Sequence, residues 1–397
     1  MDKIKFLIGK EKEFLVKPSL PFGSLEIDFL DQLSKELMSN REAKKFSDII
    51  SFAFWCRKKN IENLKKKYSS SETRVGLGCV FHVTPSNVPL NFAYSFAFGF
   101  LTGNSNLVKL PSQNFLQIDI FCKAIKKIVK IKRFKNIIKK NLFFKYNSDN
   151  KILTQQLSLK ADGRMVWGGD KTIEVLKSFK TKPRTKDIFF SDRYSFCIIK
   201  SSSINKCNSD LLQKTIRGFY NDTYFMDQNA CSSPHLIIWL GSRQQNKFAK
   251  EKFWKELFKI VKEKYLLEPA NIIEKYSSAC EDLIKYNFIK NFQNYENLIY
   301  RMQINKLDEN VHKLNNKFGY FYEFDCNILD KIKHSITQKF QTLAYFGLSK
   351  KELKDFVILN NLSGIDRAVP IGSSHNLGFV WDGYNIEKQL TRVIDFY

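Results

Sequence analysis

The sequence carries eight cysteines but no CxxC pair and no CxxC…HxxxH arrangement, so a zinc ribbon is excluded and no metal site is expected. It also lacks GxGxxG, which removes the ordinary dinucleotide-binding fingerprint. No apolar run reaches the roughly 18 residues needed to cross a bilayer. The longest apolar-rich stretch, Val88 to Leu101, is broken by Pro89, Asn91, Ser95 and Gly99. The first residues, MDKIKFLIGKEKEFLVK, hold no apolar segment long enough for a secretory signal. From these absences a reduced, cytoplasmic protein without a membrane span is expected.

Acidic residues are few against basic ones: 40 Asp+Glu and 65 Lys+Arg leave a net charge of +25. Such a balance suits a nucleic-acid or anionic-membrane partner. The basic residues are mostly lysines spread along the chain, beside many Asn, Ile and Phe, which is the pattern of a compositional bias. No specific nucleic-acid partner is therefore expected. Attraction of a phosphate-bearing substrate or cofactor is a milder use of the charge. The 43% hydrophobic share excludes a disordered chain, and 397 residues suffice for two or three domains.

Apolar residues at three- and four-residue steps (Leu25, Ile27, Phe29, Leu30, Leu33 and Leu37, then Ile49, Ile50, Phe52 and Ala53) predict helices over 24–70. Residues 74–110 then spell strand, loop, buried helix, a Gly103-Asn104 turn and a second strand, a βαβ unit of a parallel sheet. A basic amphipathic helix is expected over 115–142, lying on the sheet with its lysines in solvent. GRMVWGG reads as a strand leading into the helix DKTIEVLKSF, and DIFFSDRYSFCIIK as the next strand. Ser201–Ser203 is the best boundary candidate. Beyond it come a helix over Asp210 to Tyr220 with Ser209 as its cap, the strand PHLIIWL, and a helical region from Gln245 to about Tyr286. The expected domains are a helical region over 1–73, a cofactor-binding α/β domain over 74–200, a catalytic α/β domain over 201–360 and a C-terminal block over 361–397.

Chemistry concentrates in MDQNACSSPHLIIWL. Cys231 follows a polar loop and precedes a buried strand, a corner where a thiol can be exposed on one side and packed on the other. A nucleophilic cysteine needs that partial access, with backbone N–H groups near the thiolate. The other cysteines are expected to be buried structural ones. His82 and His235 flank this region in sequence, either as proton donors or as hydrogen-bonded structural side chains.

DQNACSSPHLI resembles the catalytic loop of the LuxC-like acyl-CoA reductases of bacterial bioluminescence, a branch of the aldehyde dehydrogenase superfamily. Four other segments are similar to that family in the same order: FHVTPSNVPLNFAYSFAFGFLTGNSNLVKLPS, MVWGGDKTIEVL, DIFFSDRYSF and GIDRAVPIGSSHNLGFVWDGYNIEKQLTRVIDF. They run from Arg74 to the C-terminus. The resemblance implies an aldehyde dehydrogenase-like fold of two open α/β domains with a cleft between them. It implies reduction of an acyl thioester, acyl-CoA or acyl-protein, to an aldehyde through an acyl-Cys231 intermediate. NADPH is the expected cofactor, with NADH the alternative.

In that scheme Asn87 and the backbone N–H of Cys231 are the oxyanion donors. Lys109 contacts the adenosine ribose or a 2′-phosphate, Ser112 adds a hydroxyl, and Gly168 and Gly169 admit the pyrophosphate at a helix N-terminus. The position of the glutamate base of hydrolytic relatives falls near Phe190, which cannot activate water; a register two residues longer would make Asp192 the base. An acyl-protein synthetase partner and a homo-oligomer are compatible with the resemblance. Two other readings stay open: a CoA-acylating aldehyde dehydrogenase working oxidatively, and a basic nucleic-acid-binding scaffold.

Overall fold

The computed structural model describes residues 4–69, 71–86 and 88–396. The chain forms two compact units, the first comprising 1–191 and 378–397 and the second 192–377.

In the first unit, strand β1 (Lys5–Ile8) precedes helices α1 (Ser24–Ser39), α2 (Ser47–Trp55) and α3 (Lys58–Tyr68). These are the helices the periodicity predicts: Phe29, Leu30, Leu33 and Leu37 of α1 and Phe52 and Ala53 of α2 have no exposed surface. After the short β2 (Arg74–Gly76) comes the expected βαβ unit of β3 (Cys79–Val83), α4 (Asn91–Leu101) and β4 (Ser105–Lys109). The turn between α4 and β4 requires glycine at 103: its φ is +81°, and a Cβ there would lie 2.1 Å from the Ser19 carbonyl oxygen.

The basic helix is shorter than expected. α5 (Leu116–Ile128) stops at Val129, and Lys132–Lys140 is wound as 3₁₀ turns. Ile128, Val129 and Ile131 are β-branched and weaken helix propagation, while the tighter winding turns Phe134 and Ile137 into the core. The unit continues with β5 (Asn141–Lys145), α6 (Lys151–Lys160), β6 (Gly163–Trp167), α7 (Asp170–Ser178) and β7 (Lys186–Phe190).

The six strands are ordered β1-β5-β4-β3-β6-β7, all neighbours parallel except β1 with β5. β3, β4 and β6 are buried on both faces, as parallel strands covered by helices must be. From β3 the chain builds β4 and β5 on one side, then returns to build β6 and β7 on the other. The carboxyl ends of β3 and β6 therefore flank a topological switch point, the usual ligand crevice of an open α/β sheet.

DIFFSDRYSFCIIK is not one strand. It supplies β7 to the first sheet and, after Ser191-Asp192-Arg193, β8 (Tyr194–Lys200) to a second sheet. Arg193 secures the break, pairing with Asp366 and donating to the Phe340 carbonyl at 3.0 Å. The units thus divide one strand before the expected Ser201–Ser203 boundary, and those serines open a helix, α8 (Ser201–Lys206).

The second unit continues with α9 (Ser209–Thr223), whose cap is Asn208 rather than Ser209: the Asn208 side chain accepts from the Leu211 N–H at 2.9 Å. Next come β9 (Pro234–Leu240), α10 (Arg243–Lys264) and α11 (Pro269–Lys285), two helices separated just before Pro269. The rest is β10 (Ile289–Tyr295), β11 (Ile299–Ile304), β12 (Tyr320–Cys326), β13 (Phe340–Phe346), α12 (Lys350–Leu359) and β14 (Arg367–Pro370). The sheet order is β10-β11-β12-β9-β8-β13-β14, parallel throughout except for β10.

The chain end belongs to the first unit. Trp381-Asp382-Gly383-Tyr384 forms a two-residue hairpin between β15 (Val380–Trp381) and β16 (Tyr384–Asn385), with positive φ at both central residues. After α13 (Ile386–Gln389), β17 (Thr391–Val393) pairs antiparallel with β2.

A buried ionic knot organises the second core. One Glu323 carboxylate oxygen accepts from the indoles of Trp239 (2.6 Å) and Trp254 (2.8 Å), and the other from Arg301 Nε (2.9 Å). Glu323 is 1% exposed and Arg301 7%. A Glu323→Ala protein should lose about 3–5 kcal/mol, because a buried guanidinium and two indole donors lose their acceptor. Urea unfolding measures this, and a loss below about 1 kcal/mol would contradict it.

Candidate active site

The parallel order of the first sheet brings three of the expected cofactor segments to one edge. Lys109 ends β4, Gly168 follows β6, and β3 runs between them into Thr84. Asn87, in the loop after β3, lies outside the described residues. Lys109 is 9% exposed; its Nζ donates to Ser148 Oγ at 2.8 Å and stands 5.0 Å from the Tyr146 ring centre. Burial lowers its pKa, partly opposed by Asp149. Ser112 is exposed in the loop after β4. Gly168 donates its N–H to the Phe190 carbonyl at 3.1 Å, and a Cβ on it would meet Thr172 at 3.2 Å. Gly169 is the N-cap of α7, whose first turn also carries the carboxylate of Asp170.

Two buried polar atoms at this edge, Thr84 Oγ1 and Asn91 Oδ1, have no hydrogen-bond partner among the described residues. Orphaned atoms at a switch point are what a polar ligand would satisfy. Phe190 stacks on Trp167 with ring centres 3.8 Å apart and is 4% exposed.

His82 is a structural residue. It is fully buried, with Nδ1 2.8 Å from Ser95 Oγ and Nε2 2.9 Å from Asn106 Oδ1, and burial drives its pKa down to about 4. His235 is also buried, bonded to the Asn316 carbonyl at 3.0 Å and stacked on Tyr194, again with a pKa of about 4.

Cys231 is exposed, whereas Cys56, Cys79, Cys122, Cys197 and Cys326 are buried. Burial pushes the Cys79 and Cys122 thiols up to about 12, which makes them inert. Cys280 departs from the expectation of burial and is exposed on α11.

Cys231 lies in a turn closed by the Ser233 N–H donating to the Ala230 carbonyl at 2.8 Å, at the amino edge of the second sheet. Two left-handed residues, Asp227 (φ 52°) and Gln228 (φ 61°), reverse the chain ahead of it. Gln228 is 1% exposed and uses its whole amide: Nε2 donates to the carbonyls of Pro234 and Tyr320 (both 2.9 Å), and Oε1 accepts from the N–H groups of Gly319 (3.0 Å) and Tyr320 (2.9 Å). The Cys231 carbonyl accepts from Ser195 Oγ at 2.6 Å, and its sulfur receives Gln341 Nε2 at 3.4 Å.

The next side chain is anchored too. Ser232 Oγ is 2.9 Å from His375 Nδ1. The His375 loop is held by Asp222, which accepts from the N–H groups of Gly372 (2.6 Å) and Ser374 (2.9 Å). Burial, and then the nearby Arg367 charge, lower the His375 pKa to about 4. Burial raises that of Asp222 to about 6 against these hydrogen bonds. Gln228, Gln341 and His375 were not singled out by the sequence reading. Gln341 and His375 lie 110 and 143 residues from their partners, and nothing local marks such pairings.

These shifts set a pH dependence. His82, His235 and His375 titrate near 6.5 when unfolded and near 4 when folded, so over that window the unfolded chain binds more protons and stability rises with pH. Asp222, raised from 3.8 to about 6, acts the opposite way, as do Asp48, Asp366 and Glu387, whose carboxyls burial also raises, while the lowered carboxyls of Asp28, Asp31 and Glu352 act with the histidines. The melting temperature should fall between pH 6.5 and pH 4; calorimetry showing a rise over this range would contradict the assignment.

The family model for acyl-CoA reductase (LuxC) matches residues 24–393, which adds the N-terminal helices to the resembling segments. No curated protein matches the sequence. Among solved structures, aldehyde dehydrogenase 21 from Physcomitrella patens, in complex with the reaction product succinate, is similar at TM-score 0.65 and 12% identity, covering 94% of this chain and 85% of that one. An indole-3-acetaldehyde dehydrogenase complexed with NAD+ gives 0.62 and 11%, over 93% and 83%. A bifunctional proline utilization A protein gives 0.62 and 12% over 91% of this chain, which spans only 39% of that protein's length. The fold is aldehyde dehydrogenase-like, and the chain belongs to the acyl-CoA reductase (LuxC) family, a family of oxidoreductases.

Proposed function

We propose that the protein reduces an acyl thioester, acyl-CoA or acyl-protein, to the aldehyde through an acyl-Cys231 intermediate, with NADPH as reductant. The observation that carries this reading is an exposed thiol on a turn pinned at both its carbonyl and its sulfur, in a chain of this family. A thiolate held there attacks the thioester carbonyl carbon; the carbon's bond to the leaving sulfur breaks, and the acyl group rests on Cys231. Asn87 and the Cys231 backbone N–H are the proposed donors to the tetrahedral oxygen, each worth about 10²–10³ in rate. Phe190, at the position matched to a hydrolytic base, has only a ring stacked on Trp167 to offer, so water is not activated from that position.

The first unit's switch-point edge fits a nicotinamide dinucleotide through its two orphaned polar atoms, Thr84 Oγ1 and Asn91 Oδ1. Lys109 and Ser112 would hold its ribose end, with Gly168 and Gly169 at its pyrophosphate. When bound, it supplies the two reducing equivalents that convert acyl group to aldehyde. An acyl-protein synthetase is the proposed partner where the thioester arrives on a protein.

Incubation with a long-chain acyl-CoA and NADPH should give aldehyde and a stoichiometric loss of absorbance by NADPH. Cys231→Ser should remove both, along with the acyl-enzyme adduct seen by mass spectrometry. A Cys231→Ser protein that consumes NADPH as fast as the parent would refute the proposal. Lys109→Ala should raise KM for NADPH by about tenfold, the loss of roughly one charge-assisted contact, and KM for NADH by less. Equal effects on both cofactors would remove Lys109 from the 2′-phosphate.

A further inference from the structure

We propose that Gln341 is a further catalytic residue, its side-chain amide donating to the Cys231 sulfur and so holding it as the attacking thiolate. The contact is Nε2 to Sγ at 3.4 Å, from a residue with no exposed surface to an exposed cysteine. The backbone explains how a sheet residue reaches a neighbouring turn. In the β13–β8 ladder Phe340 faces Tyr194 and Leu343 faces Phe196, so Gln341 and Thr342 together oppose the single residue Ser195. Such a bulge disrupts the ladder and re-aims its side chains.

The displaced groups are all reused at the nucleophile. The Thr342 N–H donates to Ser195 Oγ at 3.2 Å, and Ser195 Oγ donates to the Cys231 carbonyl at 2.6 Å. The Thr342 hydroxyl donates to Gln341 Oε1 at 3.0 Å, which turns the amide nitrogen toward the sulfur. An N–H donor favours the charged form of an acceptor, and the thiolate is the nucleophilic form. The donor is a neutral amide, so it adds no base that could draw a proton from water at the same contact.

The proposal deepens the acyl-thioester reading but is tested without it. In a Cys280→Ser background, which removes the other exposed thiol, the rate of iodoacetamide alkylation of the Cys231 peptide is followed against pH by mass spectrometry. Gln341→Leu removes the donor, Gln341→Glu replaces it with a carboxylate of the same shape, and Thr342→Val leaves Gln341 in place but frees its amide to turn. The alkylation midpoint should move up by about one pH unit or more in the first two, a tenfold loss of rate at neutral pH, and by less in Thr342→Val. If Gln341→Leu fails to fold, as judged by its melting curve, Gln341→Glu and Thr342→Val carry the same comparison. Folded variants whose profiles superimpose on the parent's overturn the proposal. Shifted variant profiles alongside a parent protein that forms no acyl-enzyme from acyl-CoA would leave the Gln341 contact standing and sink the acyl-thioester reading instead.

Discussion

The turn that carries Cys231 is closed by the Ser233–Ala230 backbone bond and is tied to distant parts of the second unit by side-chain bonds. Gln228 is the main constraint. Its buried amide makes four hydrogen bonds and ties the start of the loop to the start of both β9 and β12. A buried amide left unsatisfied is costly, so the loop has one conformation in which all four bonds close. Ser195 then fixes the Cys231 carbonyl, Gln341 meets its sulfur, and the Ser232–His375 contact fixes the following side chain. An exposed thiol thus sits on a turn bonded at both its carbonyl and its sulfur, the kind of positioning that the proposed acyl-carrying role calls for.

The first unit answers a different demand with a different device. Its parallel sheet changes direction at β3, and the carboxyl ends of β4, β3 and β6 present a lysine, two unpartnered polar atoms and a glycine turn. Beneath that edge the sheet is sealed by a polar chain in which His82 bonds Ser95 and Asn106, Asn106 bonds Asn141, and Trp167 bonds Ser95. The buried polar residues of β3 and β4 are consequently satisfied inside the layer, so the groups left over lie at the edge, where a ligand can use them.

Much of this was legible in the residues. The 3.6-residue period of 24–70 and the strand–helix–strand pattern of 74–110 are local signals, and both elements form where the pattern put them. Cys231 could be singled out because a polar loop meeting a buried strand is itself a local pattern. The misreadings also have local causes. DIFFSDRYSFCIIK looks like one strand because both halves are β-formers, and only the strand pairing, β7 with β6 and β8 with β9 and β13, shows that the chain changes sheets there. Asn208 outcompetes Ser209 as a cap by a single position, within the usual uncertainty of helix ends.

By itself the sequence determined most of the element types, the mixed α/β class, the family resemblance and which cysteine stands at an exposed loop-to-strand corner, because each depends on residues close together in the chain. Tertiary structure alone decided which side chains surround Cys231, where the two sheets divide, and that His82 and His235 are buried and hydrogen-bonded. Those outcomes depend on strand register, the β13 bulge and pairings across more than a hundred residues, and such contacts form only when burial makes an unsatisfied polar group costly.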